Sequence, residues 1–446
     1  MRFLRDIVIS AVLCLVAGTN HSWSMEPATD NETCAMTFVF GTDLNYRRPT
    51  LVSIYSLLKN GIPKKEQRWR RINVLILSDG LSEEDKKNFC SSVYRIVEKL
   101  HKNMGESHKD VYLFFLDTEN DQLKQWAKDL KFGGRNLPEH LTHKVKGYMQ
   151  TRKAVLPFYI ASHKNGNISC EYAEPSQDKI DIKKVSLNIK HYMWLDSDVL
   201  IAKDITELYS KCRDNTIDGE TIKGGIYCVN YYFINGDITD SEKHTDPRQY
   251  TDFKAVINPR ASNSWRCSGG VMFFNIFSGD TPLFDHESYL EEIQAGQEIK
   301  ETQLQLKDEE EFYSQIASQY CPPIIALPPK YNCRPAMPEF DRTDSSIKDL
   351  LKDDDVVVWH WDSMPKPWKF ENLNDVHSNE KEIKWYRNLV ANRKWNEIVA
   401  EMRRDNLLDT ISFNVQDDDI KSIKKIYTNL NKKVNAHTQS SNCYIY

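Results

Sequence analysis

The chain has 446 residues, forty per cent of them apolar and eleven per cent aromatic, which is ordinary for a globular protein large enough for one big or two average domains. Its formal net charge of −5 argues against a dedicated nucleic-acid binder, which would carry a basic excess. Ten cysteines without any C-x-x-C pair argue against a structural zinc site.

In chain order, Arg2 and Arg5 form a short positive region before an apolar run of twelve residues, Ile7 to Gly18, and Ser22-Trp23-Ser24 offers small residues for cleavage. A membrane span needs about 20 apolar residues, so residues 1–24 are expected to be a signal peptide and not a stable transmembrane span; the alternative is an uncleaved signal anchor. Export points to the secretory pathway (endoplasmic reticulum or Golgi lumen, or secretion) or, in a bacterium, to the periplasm. Cys14 lies in this leader. The nine other cysteines leave at least one unpaired, and their pairing is not readable from spacing. Asn31-Glu32-Thr33 and Asn167-Ile168-Ser169 match glycosylation sequons.

Short apolar runs then recur as expected for strands buried on both faces of a parallel sheet. They are Thr37 to Gly41, Ile72 to Ser78, Val111 to Asp117, His191 to Leu195, Gly225 to Val229, Val271 to Ile276 and Val356 to His360. Helical patterns fall between the first four, over Leu51 to Lys59, Glu83 to Leu100, Leu123 to Leu130 and Thr151 to Ser162. This alternation predicts an α/β fold with a doubly wound, mostly parallel sheet, whose ligands bind beyond the carboxyl ends of the strands. The charged stretch His163 to Val185 reads as a surface insertion, and Asn235 to Ser264 as a long polar loop where an acceptor could bind. The tail after Asp405 is polar and partly helical, over Asp418 to Val434.

Asp196-Ser197-Asp198 directly follows an apolar strand. Two carboxylates at i and i+2 beyond a strand end can converge on one hard cation. Such a cation is what a nucleotide diphosphate needs, because it neutralises charge on the departing phosphates. By itself the pattern is common and fits a solvated turn. His360, at the end of another apolar strand, can add a nitrogen ligand, which suits Mn²⁺ better than Mg²⁺. Lys366 can meet a phosphate as a point charge. Singly, a structural histidine and a solvated lysine explain these two as well.

Five blocks in order give these residues a frame. Phe40-Gly41-Thr42-Asp43-Leu44-Asn45-Tyr46 with the following Val52 to Leu58, then Tyr192 to Val199, Ser268-Gly269-Gly270-Val271, Leu327-Pro328-Pro329-Lys330-Tyr331-Asn332 and His360 to Trp368 together resemble glycosyltransferase family 8. That family includes glycogenin, galactinol synthase and bacterial lipopolysaccharide galactosyltransferases. The resemblance runs from about Met36 to Trp368. It implies a single nucleotide-sugar-binding (GT-A-like) catalytic domain, roughly residues 35–370, followed by a C-terminal extension, 371–446. It further implies retaining, Mn²⁺-dependent transfer from a UDP-sugar (UDP-glucose, UDP-galactose or UDP-xylose) to an acceptor that is not specified.

Carried over residue by residue, the resemblance puts Asp43 and Asn45 beside the uracil base. Asp196 and Asp198 bind metal, with Asp196 also near the ribose. His360 is the third protein ligand, and Lys366 holds the diphosphate. The family's arginine before the first aspartate falls on Arg152 or Lys153, and the register leaves open which. Ser268, beside Gly269, replaces an asparagine near the donor sugar, and Ser363 replaces a glycine beside the diphosphate. Glu309-Glu310-Glu311 stands where the family has D-Q-D, which makes Glu310 a catalytic candidate; the alternative is an acidic helix face. The two serines also fit a protein that binds nucleotide sugars without transferring them. A metal-dependent phosphoesterase could use the same aspartates, but the sequence offers no second metal site for it.

Overall fold

The computed structural model describes residues 35–62, 71–104, 110–117, 121–129, 147–176, 179–217, 220–221, 224–230, 256–257, 267–288, 309–313, 324–335, 354–362, 365–370, 380–408 and 417–442. The leader, Ser363, most of the 235–264 loop and the sequon at Asn31 lie outside them.

The first half alternates as expected. Strand β1 (Ala35–Thr42) leads into α1 (Arg47–Ser56), β2 (Arg71–Ser78) into α2 (Glu83–Met104), and β3 (Asp110–Asp117) into α3 (Asp121–Asp129) and α4 (Gly147–Ala161). Then come β4 (Asn167–Ser176), β5 (Lys179–Asn188), β6 (His191–Leu195), β7 (Val199–Ile201) and α5 (Thr206–Arg213). The second half adds β8 (Ile226–Asn230), β9 (Val256–Ile257), β10 (Cys267–Asn275), the short α6 (Glu309–Phe312), β11 (Ile324–Ala326) and β12 (Val358–His360). Three helices close the chain: α7 (Lys381–Asn388), α8 (Val390–Arg404) and α9 (Asp417–Asn442).

Ten strands form one mixed sheet in the order β9-β11-β8-β10-β6-β1-β2-β3-β4-β5. Its centre, β6-β1-β2-β3, is parallel, as the apolar runs predict. Alternate side chains of these strands enter two separate cores. Phe38, Phe40, Val74, Ile76, Leu113 and Phe115 face one core, shared with α1, α2 and α8. Val39, Leu75, Leu77, Phe114 and Leu116 face the other, shared with α3 and α4. Helices therefore cover both faces, and the doubly wound expectation holds. Each such buried side chain contributes about 1.5–3 kcal/mol of apolar burial. Helix α2 also starts where its sequence says. The Ser82 hydroxyl accepts from the Asp85 N–H at 3.1 Å, and the Asp85 carboxylate accepts from the Ser82 N–H at 3.2 Å. This reciprocal cap satisfies two otherwise orphaned donors.

Two expectations need correction. The stretch 163–185, expected as a turn-rich surface insertion, is mostly strand: β4 and β5 form a hairpin that extends the sheet edge beyond β3. Its exposed residues are charged because one face of an edge hairpin meets water. The 356–360 run does not join the main sheet either. As β12 it pairs antiparallel with β7, placing His360 opposite Val199, Trp359 opposite Leu200 and Val358 opposite Ile201. Strand β10 (within it Val271 to Asn275) also runs antiparallel to its neighbours β6 and β8.

The C-terminal helices pack against the segment that follows β12. Trp395 of α8 lies edge-on to Trp361, with ring centroids 5.2 Å apart, and 5.3 Å from Trp368. Asn392 accepts from the Trp361 indole at 2.7 Å, and the Tyr386 hydroxyl donates to the Pro365 carbonyl. Helix α9 is tied on through Lys369 and Asp419 at 2.8 Å. Among the described residues, no helix is long and apolar enough to cross a membrane.

Candidate metal centre

The Asp196–Asp198 turn hangs from the carboxyl end of β6, at the middle of the sheet. Ser197 turns inward: its hydroxyl donates to the Gly41 carbonyl and accepts from Thr50 at 2.9 Å. Ser53 donates to the carbonyls of Ser197 and Val199, at 3.0 and 2.7 Å. With the middle residue anchored below, the flanking carboxylates project together on the other side.

Each carboxylate is then oriented separately. The Asp196 N–H donates to the Gly270 carbonyl at 2.9 Å. Its Oδ1 accepts from the Trp194 indole at 2.5 Å and from Lys153 Nζ at 3.1 Å. Lys153 also donates to the Gly269 carbonyl at 2.5 Å. Asp198 is nearly buried, and its carbonyl accepts from the Trp361 N–H at 3.2 Å.

His360 arrives on β12, held in register by β7 and by its own N–H donating to the Cys333 carbonyl at 2.9 Å. Its Nε2 lies 3.6 Å from Asp196 Oδ2 and 3.4 Å from Asp198 Oδ1. One ligand atom from each of the three residues falls within 4.8 Å of the others, the geometry of a group that could hold a metal ion. Nδ1 points away into the protein, is buried and has no hydrogen-bond partner among the described residues. It presses on Gly270, where a Cβ would sit only 2.1 Å from it. A glycine inside a fully buried strand thus marks a close approach of ring to backbone.

Lys366 donates to Asp198 Oδ2, and to the Trp361 carbonyl at 2.5 Å. Burial alone would raise the Asp198 carboxyl, but the Lys366 ammonium, with the neighbouring His360 ring second, outweighs it and holds it well below the usual carboxylate range. Burial likewise opposes the Lys366 charge, and Asp198 outweighs it, so the ammonium is held above its ordinary value. The site therefore keeps a paired anion and cation side by side. Pro367 follows, and Trp368 packs beneath Tyr46 with centroids 6.0 Å apart.

The other predicted residues sort as follows. Arg152 and Lys153 are both buried at the site; Arg152 meets Asp79 at 3.2 Å at the end of β2, whereas Lys153 reaches Asp196. Ser268 accepts from Asn332 at 2.7 Å. The Gly269 N–H donates to Glu310 Oε1 at 2.8 Å, and Glu310 is buried. It is thus turned toward the 268–270 segment and not displayed on an acidic face. Asp43 Oδ1 accepts from the N–H groups of Asn45 and Tyr46, at 2.8 and 2.9 Å, closing a turn before α1. Asn45 is exposed.

Sequence reasoning missed Gly270, Trp194 and Tyr46. The first had a signal, a Gly-Gly pair inside an apolar run. The phenol of Tyr46 is raised by burial, with Lys366 and Asp198 among the charges it feels. Nothing in the sequence alone marks it.

No family model matches the chain, and no curated protein matches it in sequence. Among solved structures it is similar to the galactosyltransferase LgtC, crystallised with donor and acceptor sugar analogues. The two are 13% identical, with a TM-score of 0.42, over 83% of this chain and 100% of that one. It is also similar to mouse xyloside xylosyltransferase 1 in its apo form, at 14% identity and a TM-score of 0.41, over 74% of this chain and 98% of that one. The glycosyltransferase GlyE of Streptococcus pneumoniae TIGR4 is 13% identical, with a TM-score of 0.36, over 84% of this chain and 65% of that one. At these identities the likeness does not place the chain in a family, and family 8 stands as a resemblance carried by motifs.

Proposed function

We propose that this protein is a glycosyltransferase that moves a hexose or pentose from a UDP-sugar to a hydroxyl acceptor with retention at the anomeric carbon, using Mn²⁺, with Mg²⁺ as the alternative. One observation carries the reading. Asp196 and Asp198 from one strand end and His360 from a distant strand bring three ligand atoms within 4.8 Å of one another, at the carboxyl edge of the parallel strands. That edge is where open α/β sheets bind their ligands.

The donor set fits the ion. Two carboxylates supply hard oxygens, and the imidazole presents Nε2 to them while Nδ1 faces Gly270. Mixed oxygen and nitrogen ligation favours Mn²⁺ over Mg²⁺. A bound cation would neutralise charge on the departing diphosphate. The chain's own groups do the rest. Lys366, beside Asp198, is set to meet phosphate oxygens. Lys153 neutralises Asp196 and steadies the Gly269 carbonyl. Glu310 fixes Gly269 by accepting its N–H, which sets the path of Ser268 to Gly270 beside the sugar. Ser363 can still present a backbone N–H to the diphosphate. Asp43 and Asn45 flank the base. The apolar leader supports action in the lumen of the secretory pathway.

A thermal-shift panel of nucleoside-diphosphate sugars with Mn²⁺ tests the binding half, since a ligand that prefers the folded state raises its apparent stability. UDP-sugars should raise the melting midpoint in wild type and not in Asp198→Asn. Absence of a shift with every sugar nucleotide would overturn the reading. Mn²⁺-dependent hydrolysis of the UDP-sugar without acceptor separates a transferase from a non-catalytic binder. Turnover of simple phosphate esters would instead indicate a phosphoesterase.

A further inference from the structure

The strand that carries Ser268, Gly269 and Gly270 begins at Cys267, and Cys228 lies on the neighbouring strand β8. The two strands run antiparallel, with Cys228 opposite Met272 and Asn230 opposite Cys267, and the register shifts between Cys228 and Asn230. That irregularity brings the two sulfurs 2.8 Å apart, and both residues are fully buried. A disulfide needs about 2.05 Å between sulfurs, so less than an ångström of side-chain adjustment closes the bond. Cys90 and Cys170 are buried in apolar contacts, and burial pushes the Cys170 thiol up to about 12, as expected of an inert thiol.

We propose that Cys228 and Cys267 form a structural disulfide when the chain folds in an oxidising compartment, and that this bond anchors the segment beside the metal centre. In the first step the thiolate of one cysteine attacks the disulfide of a protein dithiol–disulfide oxidoreductase, or of glutathione disulfide, and displaces one of its sulfurs. The second cysteine, as thiolate, then attacks the mixed disulfide and expels the other. The two cysteines lose two electrons and two protons in all, and the oxidant leaves as its dithiol or as two thiols.

The position gives the bond its purpose. Cys228 is tied on its other side to β11, since its carbonyl accepts from the Leu327 N–H at 2.8 Å. The chain beyond Leu327 carries Asn332, which donates to Ser268 at 2.7 Å. Gly270 in turn accepts from the Asp196 N–H at 2.9 Å. A link at Cys228–Cys267 therefore joins the roots of β8, β10 and β11 directly behind the residues that frame Asp196 and His360. This inference does not depend on the proposed reaction.

The test uses the full chain secreted from eukaryotic cells. The protein is denatured in N-ethylmaleimide without reductant, digested and mapped by mass spectrometry. Peptides bearing Cys228 and Cys267 should be joined. Recovery of both as maleimide adducts, or of either joined to a different cysteine, would overturn the proposal. A second measurement compares Cys228→Ser, Cys267→Ser and the double variant. Losing the closure of a loop of about 40 residues predicts a melting midpoint lower by roughly 5 °C in each single variant. The double variant should be no less stable than either single one, because either change breaks the same bond. Additive losses would mean two independent buried thiols and would also refute it.

Discussion

Gly270→Ala is the most demanding substitution for the metal centre, because it adds one methyl group and replaces none of the ligand residues. A Cβ at this position would lie 2.1 Å from His360 Nδ1, 2.3 Å from Cε1 and 2.7 Å from Cγ. Ordinary contact begins at 3.4 Å, so the ring must retreat by about 1.3 Å. Metal–ligand distances tolerate only about 0.2 Å, so a ring displaced that far no longer coordinates. The backbone has little freedom to share the shift, since β10 is held between β6 and β8 and β12 is held by β7. Mn²⁺ affinity should fall about 10- to 100-fold, the range seen when a ligand's support is lost. Turnover should fall about 100-fold, as for a misplacement near 1 Å. Overpacking should cost about 1–3 kcal/mol of stability. Isothermal titration with MnCl₂ measures the first effect without depending on activity, and initial rates measure the second. In a His360→Ala background the added methyl meets no ring, so its stability cost should vanish. Gly270→Ala protein that binds Mn²⁺ and turns over within about twofold of wild type, far from that range, would show that His360 is not a ligand.

Other substitutions probe the neighbouring groups. Lys366→Ala should cut turnover about 10²–10³-fold, as loss of a charge-stabilising donor does. Mn²⁺ binding should be no weaker, because the lysine's competing contact with Asp198 is gone; near-normal rates would reject its role at the diphosphate. Trp395→Ala should destabilise the protein by about 3–5 kcal/mol, since the indole packs on Trp361 and Trp368 at 5.2 and 5.3 Å, a loss that denaturant unfolding measures. His191 supplies a pH test. Burial, then Arg213, pushes it from 6.5 down to about 3, so the folded state keeps it neutral where the unfolded chain takes up a proton. Stability should therefore fall as pH drops from 6.5 toward 3. The slope for this partly shielded ring should be about 1 kcal/mol per pH unit. His191→Gln should flatten that part of the stability profile, as urea midpoints across the range would show.

The parallel centre was legible because strands buried on both faces have no polar side to disguise them: Ile72 to Ser78 and His191 to Leu195 are continuous apolar runs. The Asp196–Asp198 turn and His360 were legible for the same reason, standing where such runs end. Legibility failed where polarity and pairing part company. The 163–185 stretch is charged, yet from Asn167 to Ser176 and onward from Lys179 it pairs as strand, because an edge hairpin shows one face to water. Val358 to His360 is as apolar as a sheet strand, yet its partner is the three-residue β7, a choice made by tertiary packing and not by composition. Arg152 and Lys153 could not be told apart by register; in the folded chain one reaches Asp79 and the other Asp196.

The short ladder between β7 and β12 has a consequence for how this chain can vary. His360 meets Asp198 because it is paired with Val199, next in sequence after that aspartate, and not because of how much polypeptide runs between them. Between Ile201 and Val358, segments inserted or deleted outside the strands that carry Gly270 and Cys333 leave the ligand geometry alone as long as that pairing survives. A one-residue slip in the pairing itself would offer Trp359 or Trp361 in place of the imidazole and turn every side chain of the strand to its opposite face. The centre is thus built like a clasp: its two halves must meet tooth for tooth, while the loops of the strap between them are free to vary in length.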